Sequence, residues 1–98
     1  MDKKYFVLHL LPSRPDFAQT MNEEERAVME QHMAYWNKKM NEGKVVIYGP
    51  VFDPKAIYGL GIIAAGNEEE VKDFIQNDPA VTINRYEYFP MMAIVPER

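Results

Sequence analysis

The chain has 98 residues, 47% of them hydrophobic and 27% charged, with a formal net charge of −4; this balance suits one soluble domain spanning 1–98, with room for a single core. The absence of cysteine excludes a disulfide framework, a thiolate nucleophile and every cysteine-bearing zinc site, and His9 and His32 lack the close spacing of a protein-only metal site, so neither a metal nor a cofactor is expected. Scattered Lys and Arg argue against nucleic acid, and no apolar run reaches a membrane span of roughly 20 residues or reads as a signal peptide, which leaves a cytoplasmic protein with a small-molecule ligand or substrate as the expectation.

Lys4 to Leu11 is apolar or aromatic at almost every position and predicts a strand, stopped by the Pro12 to Pro15 turn. A helix follows, with Asn22 as its cap, Glu25 closing a capping box, Glu23 and Glu24 at the positive end of the dipole, and Lys38, Lys39 and Gly43 at the other end. Its apolar stripe is Val28, His32, Tyr35, Trp36 and Met40. Lys44 to Tyr48 predicts a second strand, punctuated by Gly49-Pro50, and Ile57 to Ala65 a third that pairs with it as a hairpin. Asn67 caps a shorter helix whose apolar face is Val71, Phe74 and Ile75 and which cannot continue past Asp78-Pro79. The last strand runs through Tyr86 and Tyr88, breaks at Pro90 and resumes to Val95, on an edge or with a bulge.

The order β-α-β-β-α-β predicts an α+β, ferredoxin-like domain: a four-stranded antiparallel sheet with both helices on one face. Yet the strands are apolar on both sides, Phe6, Leu8 and Leu10 against Tyr5, Val7 and Leu11 in the first, and Tyr58, Leu60 and Ile62 against Ile57 and Ile63 in the third. A sheet with one wet face alternates more cleanly, so a homodimer is expected in which a second copy covers the bare face.

His32 lies on the stripe with Val28 and Trp36, at the margin of the core, and is the best candidate for a general base near neutral pH. The plainer reading is a histidine satisfied at the core's edge. Asp78 is the carboxylate that would accompany it, and its plainer role is turn formation before a proline. Arg14, in the loop after the first strand, is placed to hold an anionic group, or else is a solvated arginine. Gly59 and Gly61 share a strand face and clear volume there, for a ligand or for a bulky side chain such as Trp36. Tyr48, Tyr58, Tyr86 and Tyr88 suit an aromatic-friendly pocket. Ser13 is the only serine and sits in no nucleophile-elbow sequence, and Gly59-Leu60-Gly61 lacks the third glycine and following helix of a phosphate cradle. His9, alternating with Val7 and Leu11, is expected in the core or at an interface.

The apolar first strand, Glu30-Gln31-His32, the Glu42-Gly43-Lys44 turn, Gly49-Pro50 with Asp53-Pro54, and Asp78-Pro79 together span nearly the whole chain. In this order and spacing they resemble the YciI-like, or YCII-related, family of small dimeric ferredoxin-like proteins. The resemblance implies a dimeric α/β-barrel-type assembly and a catalytic pair of His32 and Asp78, with dehydrohalogenation of a hydroxylated aromatic ring among the activities it suggests. The chain departs from the commoner pattern at Ala80, where an aromatic usually follows the proline, and a different or wider pocket is expected there. The leading expectation is an enzyme of lyase or isomerase type in which His32 moves a proton and Asp78 orients it, with Arg14, Trp36, Gly49 and Pro50 binding the substrate. The alternatives are a non-catalytic ligand-binding or sensing dimer using the same pocket, and a structural dimer in which Trp36 fills the space over Gly59 and Gly61.

Overall fold

The alternation along the first strand decides which side of the sheet is sealed. In a computed structural model, which describes residues 4–96, β1 (Lys4–Leu11) turns Phe6, Leu8 and Leu10 to one side, where all three are buried, and Tyr5, Val7, His9 and Leu11 to the other, where none is. Along the chain follow a short α1 (Phe17–Thr20), α2 (Glu23–Asn41), β2 (Val45–Val51), β3 (Tyr58–Ala65), α3 (Glu68–Gln76), a 3-10 turn (Pro79–Thr82) and β4 (Arg85–Met91). The sheet order is β2-β3-β1-β4 and every neighbouring pair is antiparallel, the expected ferredoxin-like arrangement, with β2 and β3 paired as a hairpin.

Both helices seal the same face. Trp36 of α2 and Val71 and Phe74 of α3 join Phe6, Leu8, Val45, Ile63 and Ala65 in one core cluster. The start of α2 is fixed as its sequence requires, with Asn22 Oδ1 accepting from the Glu25 N–H at 2.8 Å and Glu25 Oε1 accepting from the Asn22 N–H at 3.0 Å. Its end turns at Gly43, whose φ of +83° is the left-handed conformation that favours glycine.

Four local expectations are corrected. Strand β2 is not stopped at Gly49-Pro50 but runs through both to Val51. The turn after Pro12 carries the additional helix α1, which buries Phe17. Strand β4 passes unbroken through Pro90, which sits opposite Phe6; on an edge strand the missing N–H can face away from the sheet. The strand then ends at Met91 instead of resuming to Val95, and Met92 and Ile94 are almost fully exposed.

The far face of the sheet carries no helix of the described residues. A register shift between Val45 and Ile47 turns the first into the core and leaves the second 57% exposed on that open face. His9 also lies there and not in the core, with ring centroids 5.3 Å from Tyr58 and 6.1 Å from Phe89. No described helix is long and apolar enough to cross a membrane.

Candidate active site

Asp78 is the only buried polar or charged residue among the described residues, and a carboxylate out of water must find donors for its lone pairs. Its position comes from local sequence. After α3 ends, Asp78 caps the 3-10 turn that Pro79 begins, and Oδ1 accepts from the backbone N–H of Ala80 at 2.9 Å. The turn-forming role expected of an Asp-Pro pair is thus real, and it occupies only part of the carboxylate.

The rest is held by residues distant in sequence. Nδ1 of His32 lies 2.8 Å from Oδ2 and 3.0 Å from Oδ1. The indole Nε1–H of Trp36 donates to Oδ2 at 2.8 Å, and the Tyr86 hydroxyl donates to the same oxygen. Trp36 Nε1 also lies 3.1 Å from the Tyr86 oxygen, which accepts from it. Burial pushes the Asp78 carboxyl upward, but the hydrogen bonds from His32, Tyr86 and Ala80, with the charge of His32, outweigh it and hold the group below its ordinary value. Burial, followed by the Asp78 charge and hydrogen bond, pushes the Tyr86 hydroxyl well up, so it stays protonated as a donor.

This arrangement sets the tautomer of His32. An ionised carboxylate only accepts, so Nδ1 carries the proton and Nε2 of the neutral ring keeps a lone pair. With Nδ1 occupied by Asp78, Nε2 is the nitrogen left to meet a ligand, and the His32 side chain is 12% exposed.

His32 borders a cavity of about 270 Å³ enclosed by α1, α2 and the sheet. Leu8, Leu10, Phe17, Met29 and Met33 form much of its apolar wall, and Trp36, Gly49 and Pro50 border it as expected. Of the four tyrosines, Tyr48 and Tyr86 face it; Tyr58 borders it from the strand with its ring on the open face against His9, and Tyr88 bonds Glu68 at 2.7 Å. A cavity of about 150 Å³ takes benzene, so this one has space for a substituted ring.

The two glycines divide the alternatives between them. A Cβ at Gly61 would overlap the Trp36 ring, so the indole fills that space; a Cβ at Gly59 would lie 3.3 Å from Leu10 Cβ, and Gly59 borders the cavity. Trp36 therefore does not close the whole hollow, which removes the reading of a structural dimer without a pocket.

Arg14 is not part of the cavity wall. Its guanidinium makes a two-pronged pair with Glu25, both bonds 2.9 Å, and donates to Thr20 Oγ1 at 2.9 Å and to the Thr20 carbonyl at 2.8 Å. The arginine thus ties the segment carrying α1 to the first turn of α2. The expectation that Ala80 widens the pocket is also corrected, since Ala80 is fully buried and does not border the cavity. Ser13 is likewise outside the wall.

Two residues of this site were not singled out in the sequence. Tyr86 stood only among pocket tyrosines, although its register opposite Leu10 already put it on the helix-covered face. Asn84 borders the cavity with its carbonyl oxygen buried and unpaired, an arrangement that costs about 1–3 kcal/mol. A lone asparagine before a strand carries no sequence signal for that role.

The fold has solved counterparts. A 5-chloro-2-hydroxyhydroquinone dehydrochlorinase from Burkholderia phenoliruptrix, in complex with 2,5-dihydroxybenzoquinone, matches with a TM-score of 0.65 at 18% identity, over 89% of this chain and 93% of that one. A mutant of SnoaB, a cofactor-independent oxygenase from Streptomyces nogalater, matches with a TM-score of 0.51 at 15% identity, over 99% and 100% of the two chains. No curated protein sequence matches significantly. The model of the YCII-related domain matches residues 5–94, and the chain belongs to that family.

Proposed function

We propose that this protein is a small-molecule enzyme without a cofactor, of lyase or isomerase type, acting on a small hydroxylated ring. The observation that carries the reading is the His32–Asp78 pair, at 2.8 Å, beside an apolar cavity of ring size. Nε2 of His32 takes a proton from the substrate and Asp78 stabilises the imidazolium that results, while holding the ring's orientation. For elimination, a hydroxyl proton is first moved to the ring carbon that bears the leaving group, which becomes tetrahedral in the keto tautomer; loss of a second hydroxyl proton to His32 then sends an electron pair through the ring and expels the anion, so that the elements of an acid leave in total. For isomerisation, His32 returns the proton elsewhere. The dehydrochlorinase of the same fold makes elimination the first reaction to test. With Arg14 engaged by Glu25, the ligand is held by shape and neutral hydrogen bonds and not by that guanidinium.

The open sheet face, with Ile47, Phe89 and Met91 exposed on it, is proposed to bury against a second copy, giving a homodimer. The site is tested with a panel of chlorinated hydroquinones, enols and lactones on the wild type and His32→Ala. Turnover by the wild type that disappears in a folded His32→Ala protein is expected. Binding without conversion across the panel selects the non-catalytic, sensing alternative, and turnover unchanged in the variant removes His32 from the chemistry.

A further inference from the structure

The cavity wall includes no lysine, arginine, aspartate or glutamate among the described residues. Its polar side chains are His32, Trp36, Tyr48, Asn84 and Tyr86, so a ligand carrying a full charge would have only His32 to answer it. Besides His32, whose Nε2 is free, Asn84 stands out among these groups for a buried side-chain atom without a hydrogen-bond partner. Its main chain is tied down, the N–H donating to the Ala80 carbonyl at 2.9 Å. The side chain is not: its NH2 reaches only Met29 Sδ, at 3.6 Å, and its carbonyl oxygen is buried with no partner. A thioether is a weak acceptor, so neither end of this amide is well satisfied by the protein.

The position of Asn84 relates it to His32. Met29, which it touches, precedes His32 by three residues on α2, so both lie on one helix face, separated by about 4.5 Å along the axis. Asn84, resting on Met29, therefore meets the cavity within one helical turn of His32. The terminal torsion of an asparagine is broad, so the amide can turn its carbonyl toward a ligand without moving the main chain.

We propose that Asn84 is a second polar anchor of the substrate: its carbonyl oxygen accepts a hydrogen bond from one hydroxyl of a neutral dihydroxylated ring whose other hydroxyl meets Nε2 of His32. The assignment rests on the reading of the cavity as a ring-binding site. It makes Asn84 the residue that distinguishes two hydroxyls from one, because a monohydroxyl ring leaves the amide oxygen as unpaired as it is in the free protein.

Calorimetric titration with hydroquinone and with phenol tests it on the wild type, Asn84→Leu and Asn84→Ala. The wild type should bind hydroquinone about tenfold more tightly than phenol, the worth of one net hydrogen bond. Asn84→Leu, of similar volume, should weaken hydroquinone about tenfold and leave phenol unchanged, and retained phenol binding shows that the variant is folded. Asn84→Ala should remove the same preference. Equal wild-type affinities, equal loss of both probes, no loss, or no binding of either overturns the assignment. The catalytic reading is judged separately by turnover: rings that bind with the two-hydroxyl preference but never react leave Asn84 in place and remove the enzyme, while turnover that needs His32 and ignores Asn84 does the reverse.

Discussion

Asp78→Asn is nearly isosteric, yet it should disable the site, because the carboxylate is surrounded by donors. Backbone Ala80, His32 Nδ1, Trp36 Nε1 and the Tyr86 hydroxyl all point at it. An asparagine offers one accepting oxygen and one donating NH2. With the NH2 at the Oδ1 position it faces the Ala80 N–H, and at the Oδ2 position it faces the Trp36 indole N–H, so either orientation leaves a buried N–H unpaired. The tyrosine hydroxyl can rotate to accept, but the backbone and indole donors cannot. Leaving a buried N–H unpaired costs about 1–3 kcal/mol, and in a domain of this size that lowers Tm by at least about 4 °C. The second consequence is chemical: an amide NH2 beside His32 stabilises the tautomer with the proton on Nε2, which is then no base. Turnover should fall about 10³–10⁴-fold, as when an orienting aspartate is replaced elsewhere. Thermal denaturation and steady-state kinetics on the ring substrate that the wild type converts measure both effects. A variant with unchanged Tm and turnover within about tenfold of wild type would refute an ionised Asp78 that fixes the imidazole.

The same carboxyl predicts a pH dependence: since its pKa is lowered in the fold, its contribution is present above the unfolded value of about 3.9 and disappears as pH falls through the lower folded value, so acid unfolding of the wild type should be steeper below about pH 4 than that of Asp78→Asn. Gly61→Ala drives a methyl into an indole that is 2% exposed and fixed through its Nε1–H, and should destabilise by about 1–3 kcal/mol, whereas Gly59→Ala, 3.3 Å from Leu10 Cβ, should be tolerated better and chiefly reduce cavity volume; similar melting curves for the two would contradict the packing account. Tyr86→Phe removes one donor to Asp78 and the acceptor of Trp36, and should cost about 1–3 kcal/mol in a denaturant titration with the fold retained. Glu25, held at about 2 by the hydrogen bond from Arg14 and then by the Asn22 backbone, keeps its pair with Arg14 well below its ordinary value of 4.5 and loses it only as pH falls toward about 2; amide exchange at Phe17, whose N–H bonds the Arg14 carbonyl at 3.1 Å, should therefore stay slow at pH 4, and acceleration there would rule the latch out.

Particular residues show why some of this was legible before any coordinates. Asn22 and Glu25 form their capping box three residues apart, Gly43 turns the chain where α2 ends, and the alternation of Phe6, Leu8 and Leu10 selects a strand face. Each depends on forces acting within about one turn or one pleat, so the side-chain order carries the answer. Arg14 was misplaced for the complementary reason: a loop arginine is free to face a ligand only if nothing nearer claims it, and Glu25, already engaged by the cap, was the nearer partner. At Pro90 the sequence predicts a break because it does not say which edge of the strand faces solvent.

The order of residues alone determined the four strands, the two long helices, their βαββαβ arrangement and the two chemically distinctive side chains, His32 and Asp78. Only folding decided that a helix-stripe histidine 46 positions away, an indole and a strand tyrosine would converge on one carboxylate, that Trp36 would fill the room over Gly61 and not that over Gly59, and that Asn84 would be left with an unanswered oxygen. These contacts join segments far apart in the chain, where the free energy comes from excluding water and pairing buried polar groups, and no local propensity records which partners will meet.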